Sequence, residues 1–402
     1  MEKDCQENGG SVSRNGRNVT DIPIKMSREH MVTCVIAYPV SKAFATPLLN
    51  TEKILRSFSD VRVITGTIED ARVETDLSGV RTYGVQHKTT TNVFVWILRY
   101  LLLEVRISLI MAKVAQKADV CIFFMEGGAL LPVLIAKVLG KKIIRVVPSS
   151  ILKETAKSHK IKRVALLPLI CLQTIAYTLS DKIVLYSPDL IKEWGLEKYK
   201  NKICIAHEHF LDFDTLKIRK EYKKRGNLVG YIGRLDEEKG ALNFVRAIPE
   251  IMKEKDDLEF IIGGDGWLRD EIEKYIRKEN LGDKVELTGW IPHDEIPDYL
   301  NTLKLVVLPS YTEGLPNLML EAMAYGTPVL ATPVGAVQDV IKDGETGFIM
   351  QDNSPECIAE NVVRALDHPD TECIMGRAEA LVAQTFTYKA ATERYKEIVG
   401  DI

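Results

Sequence analysis

The chain has 402 residues, and this length suggests two domains because single hydrophobic cores stop growing beyond about 250–300 residues. Its hydrophobic fraction of 46%, charged fraction of 27% and 26 glycines are those of a globular protein, which excludes a fibrous or wholly disordered chain. The formal net charge of −3 provides no electrostatic basis for a nucleic-acid partner, and we expect none.

The N-terminal half begins with a polar stretch, residues 1–28, that lacks an apolar signal region. The polar composition predicts a disordered tail, and the lack of a signal region predicts a cytoplasmic protein. Residues 29–205 then alternate short apolar runs with helical patterns, which favours a Rossmann-like domain with a parallel sheet. The strands are predicted at Val32–Pro39, Val61–Thr65, Val120–Phe124, Lys142–Val147 and Lys182–Tyr186.

Within this half, the segment Val93–Lys113 is mostly apolar, and Arg99, Arg106 and Lys113 recur in it every seven residues. On a helix they would form one cationic stripe. Two interpretations stay open: a helix that lies in a membrane interface on the cytoplasmic side, and a helix packed on the sheet with one solvated stripe. The charges disfavour a spanning helix. Further cations precede a second apolar run and would add to a contact with anionic headgroups: Lys153, Lys157, Lys160, Lys162 and Arg163.

Residues 206–225 form a charged stretch that we interpret as the linker between two domains. His207 and His209 lie in it and are interpreted as structural. Asp212 and Asp214 match a spacing that can bind a metal through two carboxylates, but no buried strand precedes them. We therefore expect no metal site.

Residues 226–380 repeat the alternation of strands and helices. Two doubly wound sheets in tandem predict an α/β protein with ligand sites at the carboxyl ends of both sets of strands, on either side of a cleft. The strands are predicted at Leu228–Ile232, Leu258–Ile262, Lys284–Leu287, Leu305–Leu308 and Pro328–Ala331. Residues 381–402 are predicted as a helix that crosses back to the N-terminal domain.

The strongest chemical signal lies at residues 310–328, where a strand is followed by Glu313 and then by a helix. Pro316 is predicted at the first helical position, so that the neighbouring amides point out of the helix N-terminus, as a diphosphate requires. Glu321 lies about one and a half turns further along. The two carboxylates therefore address different hydroxyls, those of a hexose at Glu313 and those of a ribose at Glu321. The alternative is a dipole-favoured acid and a solvated helix glutamate.

The second signal is the loop Gly233–Gly240, which follows one predicted strand and opens a helix. Its glycines permit close approach of a ligand, and Arg234 and Lys239 could neutralise a departing diphosphate. The alternative is a turn with solvated charges. Gly263–Gly266 forms a weaker glycine turn of the same kind.

Taken together, the spacings from Gly233 to Gly240, in Gly263–Gly266 and from Glu313 to Glu321 resemble the C-terminal domain of family 4 retaining glycosyltransferases, which belong to glycosyl transferases group 1. The match covers roughly residues 226–350. It implies the GT-B fold, two Rossmann-like domains facing across a cleft, with a nucleoside diphosphate sugar as donor and neither metal nor cofactor. It assigns Glu313, Arg234 and Lys239 to catalysis. The donor-binding residues that it implies are Gly233, Gly264, Asp265, Gly314, Leu315, Asn317, Leu318 and Glu321.

The N-terminal half resembles that family only in its strand and helix rhythm, and its first loop offers Ser41 and Lys42 as acceptor-side candidates. We expect a hexosyltransferase that acts on a lipid-linked or cell-surface glycan precursor. Two alternatives stay open. One is a sugar-nucleotide epimerase or a phosphorylase of the same fold, and the other is an inactive subunit that binds a sugar nucleotide without turnover.

Overall fold

The computed structural model describes residues 33–38, 45–68, 80–87, 93–124, 129–148, 167–216, 218 and 220–401. Two parallel sheets, of seven and six strands, account for the strands in this part of the chain. The predicted tail, the candidates Ser41 and Lys42 and the basic segment 153–163 lie outside the described residues.

The first sheet has the strand order β3-β2-β1-β4-β5-β6-β7, and every neighbouring pair is parallel. Helices cover its faces, so its central strand residues Cys34–Ile36 and 120–124 are buried and apolar rather than alternating with polar residues. The strands are β1 (Thr33–Tyr38), β2 (Asp60–Ile68), β3 (Arg81–His87), β4 (Val120–Phe124), β5 (Lys142–Val146), β6 (Lys182–Leu185) and β7 (Ile203–Ile205). The helices that accompany them are α1 (Ala45–Arg56), α2 (Val93–Val114), α3 (Leu130–Val138), α4 (Leu167–Leu179) and α5 (Asp189–Glu193).

The second sheet has the order β10-β9-β8-β11-β12-β13, which is the doubly wound order of a Rossmann-like domain. Its strands are β8 (Leu228–Ile232), β9 (Glu259–Gly263), β10 (Val285–Gly289), β11 (Leu305–Leu308), β12 (Val329–Ala331) and β13 (Phe348–Ile349). The helices are α6 (Ala241–Glu254), α7 (Arg269–Lys278), α8 (Ile296–Leu300), α9 (Asn317–Ala324), α10 (Val337–Val340), α11 (Pro355–Leu366), α12 (Thr371–Thr385) and α13 (Tyr388–Gly400).

The strand order reverses between β8 and β11, which are hydrogen-bonded neighbours although the 72 residues 233–304 lie between them in the sequence. A crevice opens at the carboxyl ends of strands where the order reverses in this way. The predicted GT-B architecture, with two Rossmann-like halves that face each other across a cleft, is confirmed.

The end of the chain returns to the first half. Helix α13 begins with Thr387 as its cap, since the Thr387 hydroxyl accepts the N–H of Ala390 at 3.1 Å. The Tyr388 hydroxyl then donates to the carbonyl of Lys53 on α1 at 2.9 Å. Near its other end, Lys182 lies 3.4 Å from the carboxylate of Asp401. The last helix therefore packs beside α1 and the first sheet.

Helix α2 is packed on the first sheet by one face, on which Leu103, Ile107 and Met111 are buried. Its opposite face carries exposed leucines beside the predicted cations. The packing of one face of α2 on the sheet is therefore confirmed, and the stripe that faces away from the sheet is apolar as well as cationic. None of the described helices has the length and hydrophobicity that crossing a membrane requires.

Candidate functional site

A cleft of about 510 Å³ lies where the carboxyl edges of the two sheets meet. From the first half it is lined by Pro47 of α1 and by residues that follow β5, β6 and β7, and from the second half by the ends of β8 and β11 and the loops after them. Eight of the predicted site residues line it: Gly233, Arg234, Lys239, Glu313, Gly314, Leu315, Asn317 and Leu318.

The two strongest sequence signals meet in this cleft as an ion pair. The ammonium of Lys239 lies 2.8 Å from Oε1 of Glu313, with side chains 21% and 12% exposed. The Ser310 hydroxyl donates to the same oxygen at 2.7 Å. Because β8 and β11 are neighbours, the loops that follow them are brought together although they are far apart in sequence. The carboxylate of Glu313 is thus held in place by a cation and a hydroxyl.

Arg234 lies beside this pair and is half-exposed. Its guanidinium lies 2.7 Å from the carboxylate of Asp236 and 3.2 Å from that of Glu238. Asp236 in turn accepts the backbone N–H of Lys239 at 3.0 Å. The acidic residues of the loop therefore orient both cations beside the cleft.

Glycine is required at two turns around this loop. A Cβ on Gly264, whose φ is +131°, would lie 1.8 Å from the carbonyl oxygen of Gly233. A Cβ on Gly240, at a φ of +69°, would lie 2.1 Å from the carbonyl oxygen of Pro309. Both distances are far below contact, so no other residue fits without moving backbone. These close backbone approaches explain why the sequence has glycine at both positions.

Helix α9 begins at Asn317, one residue later than predicted, because Pro316 has the extended ψ of 120° and serves as the cap instead of the first helical residue. Pro316, Asn317 and Leu318 all line the cleft. The first backbone amides of a helix have no partner within the helix, so this end of α9 can bind an anion.

Three predicted donor residues do not line the cleft. Glu321 lies further along α9, where its Oε1 is 3.1 Å from Nε2 of His293. That hydrogen bond raises the pKa of His293 against the opposing effect of burial. Gly264 forms the close turn described above, and the Asp265 carboxylate accepts the N–H of Gly266 at 2.8 Å. His293 was not identified from the sequence.

On the side of the first half, besides Pro47 and Pro148, the cleft is lined by Tyr186, Glu208 and His209, which were not predicted as site residues; His209 had been interpreted as structural. The Tyr186 hydroxyl donates to Oε1 of Glu208 at 2.6 Å, while Oε2 has no hydrogen-bond partner in the described part of the chain. Burial raises the pKa of Glu208 to about 7, although the Tyr186 hydrogen bond opposes this. Burial lowers the pKa of His209 to about 4. For Tyr186 the usable signal was its position at the end of a predicted strand, whereas Glu208 and His209 follow β7, which the sequence did not predict.

Residues 212–380 match the family model of glycosyl transferases group 1. We refer to this matched region, residues 212–380, as the group 1 domain, after the model that it matches. The chain is also 34% identical over 212 residues to the alpha-D-kanosaminyltransferase of Streptomyces kanamyceticus, covering 51% of this chain and 55% of that protein. It is 30% identical over 180 residues to the D-inositol 3-phosphate glycosyltransferase of Corynebacterium diphtheriae, covering 43% and 42%. The chain thus aligns with about half the length of these relatives.

Solved structures extend the likeness of the group 1 domain to the fold of the whole described chain. The Anabaena protein HepE in complex with UDP and glucose has a TM-score of 0.72 at 15% identity, covering 93% of this chain and 100% of that one. A lipopolysaccharide outer core galactosyltransferase has a TM-score of 0.68 at 17% identity, covering 92% and 99%. At these identities the likeness concerns the fold.

The remaining linker candidates lie outside the cleft of the group 1 domain. His207 stacks on Phe386 with ring centroids 4.8 Å apart. The Asp212 carboxylate accepts the N–H of Asp214 at 3.1 Å and so stabilises a local turn. Within the described ranges, no group of three His, Cys, Asp or Glu side chains is arranged to hold a metal ion.

Proposed function

We propose that the protein is a retaining, metal-independent glycosyltransferase that moves a hexose from a nucleoside diphosphate sugar to a lipid-linked or cell-surface glycan precursor. The observation that carries this proposal is the Lys239–Glu313 pair beside the first turn of α9 in the cleft. It is supported by the group 1 domain and by relatives that are named as glycosyltransferases. The complex of HepE with UDP and glucose supports the class of donor.

The donor diphosphate would bind between the α9 amides and the cations of the β8 loop. Arg234 offers a planar fork of donors and Lys239 a compact charge, and both would compensate the negative charge that grows on the leaving phosphate. Glu313 would then contact the transferred hexose and Glu321 the ribose. Gly264 and Asp265 would shape the wall beside the nucleotide.

Retention of configuration would follow a front-face course. As the bond between the anomeric carbon and the phosphate oxygen breaks, the acceptor oxygen would bond to that carbon on the same face. The departing phosphate would take the proton of the acceptor hydroxyl. The contribution of the protein would then be positioning and electrostatic stabilisation of the phosphate, which are the roles that Arg234, Lys239 and the α9 N-terminus suit.

The proposed assignment of the diphosphate is tested with Arg234→Ala and Lys239→Ala. Each removes one charged donor from the diphosphate, and a charge-assisted hydrogen bond contributes about 1.5–3 kcal/mol, so affinity for uridine diphosphate should fall about tenfold or more in each variant. Uridine, which lacks phosphates, should bind the variants as it binds the parent. Isothermal titration calorimetry measures both.

Arg246→Ala is the matched control. Arg246 is a half-exposed cation of α6 that lies 3.2 Å from Glu271 and does not line the cleft. Its removal should leave uridine diphosphate affinity unchanged. If the folded double variant of Arg234 and Lys239 binds the diphosphate as tightly as the control does, these residues do not bind phosphate and the proposed donor site is wrong.

A further inference from the structure

The exposed apolar side chains of the described chain are concentrated on three helices of the first half. Of nineteen large hydrophobic residues that are exposed, thirteen lie on α2, α3 and α4. We call this surface the α2–α4 face. Its exposed members are Val95, Leu98, Leu101, Leu102, Val105, Leu109, Leu131, Leu134, Val138, Leu167, Ile170, Leu172 and Ile175.

The three helices form one continuous surface. Glu104 of α2 accepts the N–H of Leu131 at the start of α3, at 3.1 Å. At the other end of α3, the ammonium of Lys137 lies 2.9 Å from the carboxylate of Asp181. Asp181 follows the end of α4, with only Ser180 between them. These contacts fasten the helices side by side, so their exposed leucines, isoleucines and valines belong to one patch.

The apolar residues of this face are additional to those that pack the core. On α2 the core-facing residues Ile107 and Met111 are 4% and 0% exposed, whereas Leu98 and Leu109 on the other side are 59% and 63% exposed. An amphipathic surface helix normally presents polar residues to water. A patch of this extent on a monomer marks an interaction surface.

The exposed charges of helix α2 are of one sign. Arg106 and Lys113 are exposed and lie along one flank of the leucine stripe, because seven residues bring a helix back to nearly the same side. The one acidic residue in the sequences of α2, α3 and α4 is Glu104, which is 6% exposed and is bonded to Leu131 and Tyr100. In the part of the chain that the structure describes, the three helices therefore combine exposed aliphatic side chains with cations and carry no exposed carboxylate of their own.

We infer that the α2–α4 face docks on a lipid bilayer that contains anionic headgroups. An aliphatic surface flanked by cations matches acyl chains beneath anionic headgroups, and the helices would lie in the interface plane. A protein interface would instead be enriched in aromatic residues and polar partners. Among the side chains that the structure describes, the large hydrophobic residues exposed on this face are all leucine, isoleucine or valine.

The position of the face also connects it to the cleft. Helices α2, α3 and α4 follow strands β3, β4 and β5, so each starts on the carboxyl side of the sheet, where the cleft opens. A bilayer on this face would meet the rim of the cleft and present a lipid-borne acceptor to it. This last step rests on the proposed function, whereas the docking itself does not.

Vesicle flotation with the full chain tests the docking. The parent should float with vesicles that mix phosphatidylcholine and phosphatidylglycerol, and less with phosphatidylcholine alone. Leu98→Gln/Leu109→Gln should lower the partition by at least about tenfold, since each buried leucine contributes about that factor or more. Ile205→Gln/Ile218→Gln is the matched control, because these residues are exposed hydrophobics outside the face, 41% and 48% exposed. It should float like the parent.

A second pair of variants isolates the charges. Arg106→Gln/Lys113→Gln should lower partition into the anionic vesicles by about tenfold or more at low salt and by little at high salt, because each cation near such a surface adds about fivefold and salt screens it. Lys198→Gln/Lys274→Gln removes two exposed cations elsewhere and should change nothing.

The inference is overturned if the parent floats with neither vesicle, or if Leu98→Gln/Leu109→Gln floats like its control. It is also overturned if the parent is a dimer in solution that this variant converts to monomer without any vesicle binding, because a second copy then covers the face. Uridine diphosphate binding without vesicles separates the two proposals. If the parent does not bind uridine diphosphate, the proposed function is rejected, whereas the flotation result decides the docking independently.

Discussion

Glu313 lies in the loop just before helix α9 and Glu321 lies within that helix, yet their surroundings differ. Glu313 lies in the cleft with Lys239 and Ser310, whereas Glu321 lies outside the cleft lining and is bonded to His293. A charge next to the reacting sugar should act mainly in the transition state. A contact to the ribose should act equally in ground and transition states. The two residues should therefore affect different kinetic parameters.

We predict that Glu313→Gln lowers kcat by about a hundredfold, because it removes one fixed charge from the reacting centre. Glu321→Ala should chiefly raise KM for the donor, by about tenfold for one lost hydrogen-bond pair. Initial rates over a range of donor concentrations measure both. Each variant must melt like the parent, and transfer by folded Glu313→Gln at the parental rate would remove Glu313 from the mechanism.

The carboxylate of Glu208 is buried in the cleft with one hydrogen bond, from Tyr186. Burial raises its pKa from 4.5 to about 7, so the folded chain binds this proton more tightly than the unfolded chain does. The contribution of Glu208 to stability is therefore greatest at low pH and is lost as pH rises from about 4.5 to 7. His209 has the opposite slope, because burial lowers its pKa to about 4.

Glu208→Gln removes this titration while keeping an acceptor for Tyr186. We predict that the stability difference between variant and parent shifts in favour of the variant as pH rises from about 4.5 to 7, by up to about 3 kcal/mol at 1.36 kcal/mol per pKa unit. Urea unfolding at a series of pH values measures the difference. The contribution of His209 is the same in variant and parent, so it cancels. Glu360→Gln, on an exposed helix face, controls for net charge. A pH-independent difference would show that Glu208 is not protonated in the fold.

At the scale of elements, the sequence predicts the buried strands best. The predicted limits of β4, β8 and β11 agree with the structure, because each is a short apolar run that directly follows a polar residue. Strand β3 was not predicted. Its residues Arg81 and Thr82 are exposed at the edge of the first sheet, so hydrophobic periodicity is weak there. Strand β7, with three residues at the other edge, is too short to show a pattern.

The candidate site was predictable on one side only. The second half combines glycines at close backbone approaches with charged residues after strands, and these patterns are visible in the sequence at Gly233–Gly240 and Glu313. The first half offers Tyr186, Glu208 and His209, which have no such spacing and become neighbours of Glu313 only through tertiary packing. Likewise, the cationic stripe of α2 was visible in the sequence. The exposed apolar faces of α3 and α4, which adjoin this stripe, could be identified only from the structure.

At the scale of the whole molecule, the two halves touch where the loop of Glu313 meets the end of β5. A Cβ on Gly314 would lie 2.3 Å from the carbonyl oxygen of Pro148 and 3.2 Å from Cδ2 of Tyr186. The neighbouring atom is backbone of the other half, so it cannot yield by a rotamer change. A side chain at this position would hold the loops apart across the cleft.

We predict that Gly314→Ala lowers kcat/KM for transfer by at least about tenfold, because a displacement of about 1 Å at a reacting centre costs up to about a hundredfold. Overpacking should also lower the free energy of unfolding by about 1–3 kcal/mol. Gly282→Ala is the matched control, because a Cβ there meets nothing within 4 Å. Transfer kinetics and thermal unfolding distinguish the two substitutions. If Gly314→Ala behaves like Gly282→Ala in both, the halves do not stay in contact at Pro148 during turnover, and donor and acceptor must be brought together by a different closure of the cleft.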